Sequence, residues 1–150
     1  MATLNTDTAS QQTLGMTQAG KIVRDGSVVS GDLLHAHGVH TVAGTDATSD
    51  TIRLVYLPAG TWVLPELCSV VNEAMGTAYT VTIGDEVDPD RFSAALDIKA
   101  AGTKAFAGGF ESLTPVKLTE PTWITATTTL VTTPTAGNVA KFNIAYKAIS

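Results

Sequence analysis

A chain of 150 residues, 44% of them hydrophobic and with a mean hydropathy of +0.18, is long enough for one core and too apolar to be disordered throughout. Only 15% of its residues are charged and the net charge is −5, which excludes a nucleic-acid phosphate backbone as partner, because counterion release needs clustered Lys and Arg. Pro58, Gly60, Pro65 and Glu66 interrupt the longest apolar stretches, so none reaches the roughly 20 residues of a membrane helix.

The 24 threonines keep a sparsely charged surface polar, and their β-branching favours strands. Cys68 stands alone, so neither an internal disulfide nor a cysteine metal motif can form. Its place in LPELCSVV makes it a small core residue. The start, MATLNTDTASQQTLG, has no basic region followed by an apolar one, and the expectation is synthesis in a reducing cytoplasm rather than secretion.

Residues 1–20 are polar and without periodicity and read as an N-terminal arm; residues 21–150 read as one β-sandwich domain. Leu4, Leu14 and Met16 are too few to pack on their own, so the arm is expected to order against a neighbour. From Lys21 the pattern turns to period two. Ile22 and Val23 open a short run, and Asp25-Gly26 is a hairpin signal before SVV. GVHTVAG follows as a short apolar segment. In TIRLVYL, Ile52, Leu54 and Tyr56 share one face with Arg53 on the other.

After Pro58-Ala59-Gly60, TWVLPELCSVV resumes as a strand in which Pro65 marks an edge or a bulge. AYTVTIG sets Tyr79, Val81 and Ile83 against Ala78, Thr80 and Thr82. SAALDIKA sets Ala94, Leu96 and Ile98 against Ser93, Asp97 and Lys99, with a short helix capped by Asp90 as the alternative over DRFSAALDIKAA. TWITATTTLV is strand-rich, and KFNIAYKAI divides Phe142, Ile144 and Tyr146 from Lys141, Asn143 and Lys147. Trp62 and Trp123 fall in strand patterns and read as core. About eight short strands with regular turn signals predict an all-β fold, a single antiparallel sandwich of jelly-roll type.

Two clusters qualify as sites. IGDEVDPDRF places Asp85, Glu86, Asp88, Asp90 and Arg91 in ten residues. Gly84 permits an unusual backbone angle, Asp88-Pro89 initiates a turn in which the Asp88 carboxylate bonds amides ahead of it, and Arg91 pairs with Asp88 or Asp90. A structural turn is the expectation. A calcium loop is the first alternative, but EF-hand spacing is missing. Acid–base catalysis is the second, but nothing apolar except Val87 flanks the acids to raise a pKa. HAHGVH reads as a glycine-flanked polar loop; if extended, it puts His35 and His37 on one side as a candidate zinc or nickel pair, with His40 nearby. No nucleophile elbow or phosphate loop is present, so neither a catalytic residue nor a cofactor site is expected.

TIRLVYLPAGTWVLPELCSVV, then a strand ending IGDEVDPDRF, then LDIKAAGT, resembles small structural proteins of tailed-bacteriophage heads over residues 50–104. The resemblance is to capsid decoration, or cement, proteins. It implies a β-sandwich that binds the major capsid protein on the outer face of the virion shell, often as a homotrimer at local three-fold positions. It implies no catalytic residue; from the residues themselves no metal, no cofactor, no nucleic acid and no membrane partner is expected. A host- or carbohydrate-binding module of a phage fibre or tail is the alternative.

Overall fold

The computed structural model describes residues 2–5, 33–76, 78–108 and 113–148. Eleven strands run through them: β1 (Thr3–Asn5), β2 (Leu33–Thr41), β3 (Thr51–Leu57), β4 (Trp62–Val63), β5 (Ser69–Asn72), β6 (Tyr79–Asp85), β7 (Ser93–Asp97), β8 (Gly102–Ala105), β9 (Val116–Lys117), β10 (Thr122–Leu130) and β11 (Val139–Lys147). They form two sheets. The first has the order β1-β3-β10-β6-β7. In the second, β11 lies in the middle, with β2 along one side and β5 and β4 in succession along the other; β8 and β9 pair outside these two. Pairing is antiparallel except between β1 and β3, where Leu4 lies opposite Ile52 in a parallel pair. The sheets pack as a jelly-roll-like β-sandwich.

Period-two patterning builds the core. Ile52 and Leu54 of β3, Val81 and Ile83 of β6, and Ile124 and Ala126 of β10 meet Val63, Val70, Phe142 and Ile144 of the other sheet. Met75, Tyr79, Phe92 and Ile98 complete it, all essentially water-free. Burial of this kind contributes on the order of 25 cal/mol per Å² of apolar area removed from water.

Four local expectations are corrected. In β3, Tyr56 does not share a face with Ile52 and Leu54. A bulge shifts the register between Ile124 and Thr125, so Val55 and Leu57 turn inward and Tyr56 joins Arg53 outside. In β7, Ser93 is buried and Ala94 exposed, because the β6–β7 register also slips between Val81 and Ile83. TWVLPELCSVV is not one strand: Pro65, which lacks the N–H a strand needs, opens a 3-10 turn over Pro65–Leu67 that separates β4 from β5. HAHGVH is not a loop but most of β2, paired along its length with β11. The helix alternative over DRFSAALDIKAA gives way to β7.

Ile22, Val23, Asp25-Gly26, Leu14 and Met16 lie outside the described residues. Within the expected arm, the Ala2 amide donates to the Asp50 carboxylate at 2.9 Å and the Ala2 carbonyl accepts from the Thr51 amide at 2.9 Å.

Candidate functional site

The acidic turn starts from the inner face of β6. The alternation Tyr79, Val81, Ile83 carries on to Asp85, so its carboxylate is buried at 4% exposure. One oxygen accepts from the amides of Val87 and Asp88, both at 2.9 Å, and the other faces the Arg91 Nη1 at 2.8 Å. The Asp85 amide donates to the Asp88 carbonyl at 2.9 Å, and the Phe92 amide returns to the Ile83 carbonyl at 2.9 Å. The carboxylate that organises the turn is therefore that of Asp85, not Asp88. Asp88 supplies its backbone carbonyl, and its side chain only approaches Arg91, at 3.8 Å. Asp90 is exposed, as is Pro89.

Gly84 does not have the left-handed angle expected of it; among the described residues the glycines with positive φ are Gly60, Gly76, Gly102 and Gly137. Its role is clearance. A Cβ there would lie 2.0 Å from the Asp88 carbonyl oxygen and 2.7 Å from the Pro89 Cα, so the turn folds directly onto the bare backbone.

Beside the turn, Glu86 pairs with Arg53 at 3.2 Å. The Arg53 guanidinium carbon sits 5.2 Å from the centre of the Trp123 ring, and Tyr56 packs on the same ring with centroids 5.2 Å apart. Trp123 is thus buried, as its strand pattern predicts, but it packs against Tyr56 and Arg53 apart from the main apolar cluster. Arg53, Glu86 and Asp85 line one end of an open groove whose floor is Thr51, Thr125 and Thr127. Threonines recur across this face, where Thr51 lies opposite Thr127 and Thr127 opposite Thr82.

The outer face of the other sheet is different in kind. Leu33 of β2, Lys147 of β11, Trp62 of β4 and Lys117 of β9 lie directly opposite one another, strand after strand. All four are exposed, Leu33 at 49% and Trp62 at 38%. Trp62 is therefore a surface residue and not core. Neighbouring strands are about 4.8 Å apart, so the row is roughly 14 Å long. Among the described residues its lysines form no ion pair, whereas Arg53, Arg91 and Lys99 each do. The alternation in KFNIAYKAI turns Lys147 outward, but only strand register sets it in line with Trp62 and Lys117, which lie far away in the chain.

The histidines do not gather. His35 and His37 are exposed on one side of β2, and His35 lies 3.1 Å from the Asn143 side-chain oxygen. His40 points to the opposite face, where its Nε2 meets the buried Asp46 carboxylate at 2.8 Å. Among the described residues no cluster of three or more His, Cys, Asp or Glu side chains is placed to hold a metal ion. The Cys68 thiol, buried against Leu64 and Ala145, is pushed up to about 11 by desolvation and so stays protonated at neutral pH.

No family model matches the chain, and no curated protein matches it. Solved structures do. A chain of the capsid of Ralstonia phage GP4 superposes with a TM-score of 0.69 at 15% identity, covering 99% of each chain. The cyanophage Pam1 capsid asymmetric unit contains a chain with a TM-score of 0.58 at 17% identity, over 87% of this chain and 95% of that one. The acid-stable capsid of Helicobacter pylori bacteriophage KHP30 contains another, with a TM-score of 0.53 at 16% identity, over 79% and 89%. The sandwich is thus a fold that occurs in phage capsids.

Proposed function

We propose that the chain is a non-enzymatic structural protein of a phage virion that binds the outer surface of the capsid and decorates or stabilises it. The observation that carries this reading is the match over 99% of both chains to a component of a phage capsid. A shared fold does not by itself assign a role, but three further features support this one. Cys68 is protonated and enclosed. The acidic turn commits the Asp85 carboxylate to the chain's own donors. Two large outer faces, one threonine-rich and one apolar and cationic, are suited to contacts with other proteins. The partners in this reading are the major capsid protein and further copies of the chain, with a homotrimer at three-fold positions of the shell. The arm, including Leu4, Leu14 and Met16, contributes to capsid contact, and Gly84, Asp85, Asp88, Pro89, Asp90 and Arg91 serve as a structural turn without a bound ion.

Purified protein mixed with undecorated capsids is expected to bind saturably and to occupy symmetric positions in reconstructions. Protein that never co-sediments with capsids, or a virion copy number of only a handful, would overturn the assignment and favour a fibre or tail module.

A further inference from the structure

Two surface patches of this chain carry charges of opposite sign. One is the cross-strand row Leu33–Lys147–Trp62–Lys117. The other is built from the acidic turn and the segment between β9 and β10. Glu86, Val87, Arg91, Glu120 and Pro121 line one groove, so the two segments stand side by side. Val87 is 85% exposed at the tip, with the exposed carboxylates of Glu86 and Glu120 about it.

Each surface leaves something unmatched. An apolar side chain held this far into water, on a turn fixed by five hydrogen bonds and an ion pair, has no part in the chain's own core. The row has the reverse composition, two large apolar side chains alternating with two lysines that have no ion-pair partner among the described residues. An apolar tip flanked by acids matches an apolar row flanked by cations in both respects.

Among the described residues no ion pair joins Lys117 or Lys147 of the row to Glu86 or Glu120 of the tip, although Lys117 and Glu120 are only three residues apart in the chain. Between molecules the match is head to tail, with the row of one copy against the tip of the next. Such a heterologous contact closes into a ring when the rotation allows. From this complementarity we infer that the Leu33–Lys147–Trp62–Lys117 row is a docking surface for a second copy of this chain, and that the docking element is the Val87 tip with Glu86 and Glu120. This rests on the proposed assembly role only in expecting self-association; it names the residues that carry it.

The test is made in solution without capsids, so its failure is separable from failure of the decoration reading. Analytical ultracentrifugation of the full chain is expected to show an oligomer at micromolar concentration that weakens as salt is raised. Lys117→Glu with Lys147→Glu is expected to weaken association by at least about tenfold, as is Val87→Lys with Glu120→Lys. Each double variant should keep the native circular dichroism spectrum, because all four side chains are exposed. The decisive result is rescue: the two double variants, each monomeric alone, associate when mixed. A monomeric wild type at 100 micromolar would overturn the inference. So would an oligomer indifferent to both variants, or mixed variants that stay apart. If the lysine variant loses binding to capsids while self-association is intact, the row faces the shell and the second-copy assignment falls.

Discussion

The Asp85 carboxylate and the Arg91 guanidinium lie 2.8 Å apart, the acid almost fully buried and the base one-third exposed. The same carboxylate holds two amides of the turn. Asp85→Ala deletes all three interactions and is expected to cost about 3 kcal/mol, in the range of a broken buried pair. Asp88→Ala removes only a 3.8 Å approach at the surface and should cost no more than about 0.5 kcal/mol. Urea denaturation of the two variants gives the comparison; equal losses would return the organising role to Asp88. Millimolar calcium should leave the wild-type melting temperature unchanged.

Gly84→Ala is expected to destabilise by roughly 2–3 kcal/mol, as overpacking against rigid backbone does. The new methyl would occupy the space of the Asp88 carbonyl. Gly44→Ala is the control, since its Cβ would meet only the Ala136 methyl at an ordinary 3.8 Å. Thermal melts showing similar losses for both would refute the clearance argument.

Asp46→Ala should be costly although Asp46 lies in a loop. It leaves His40 Nε2 buried without its 2.8 Å partner, at a cost of about 2–3 kcal/mol. Equilibrium unfolding at neutral pH measures it, and a loss within experimental error would show that His40 finds another partner.

Asp50 accepts from the amides of Ala2 and Ala47, and these bonds, the Ala2 bond foremost, hold its carboxyl below the ordinary 3.8. A depressed folded-state pKa adds stability that is complete above the unfolded value and is lost as pH falls through the folded one. The gap in melting temperature between wild type and Asp50→Ala should therefore be widest at neutral pH and shrink once pH falls below about 4. A gap independent of pH would mean that the charge is not what holds Ala2.

The Cys68 thiol carries the opposite sign. Its pKa is raised from 9.0 to about 11 by burial, so the folded chain keeps a proton that the unfolded chain gives up. Stability from this group is complete below pH 9 and falls between pH 9 and 11. Alkylation at pH 8 should be slow in the native protein and fast in denaturant. Rapid native labelling would contradict the enclosure.

The strands themselves were legible because alternation is a local signal. Tyr79, Val81 and Ile83 turn inward as the pattern dictates, and so do Phe142 and Ile144. Continuing the first alternation by two residues reaches Asp85, so its burial was also written in the sequence, behind the expectation that a charged residue after a glycine belongs to the loop. The outward position of Tyr56 was not readable. It depends on a bulge opposite Ile124 and Thr125, some 70 residues away, and such a phase shift leaves no local mark. The Leu33–Lys147–Trp62–Lys117 row was invisible for the same reason, since only the register of four strands assembles it.

The middle strand of the first sheet's β3-β10-β6 run is β10, and the middle strand of the second sheet is β11. Both are translated after the nine strands they hold together. A ribosome that has released the chain through β9 has therefore delivered two sets of flanks without their centres, including the acidic turn and the whole of β2. Hairpin β6–β7 can form early, but β3 cannot be joined to β6, nor β2 to β5, until the final 30 or so described residues emerge. Closure of both sheets therefore waits on β10 and β11, and a nascent chain that has reached β9 must stay soluble until they emerge. A threonine-rich sequence with few large apolar clusters is a suitable composition for that wait.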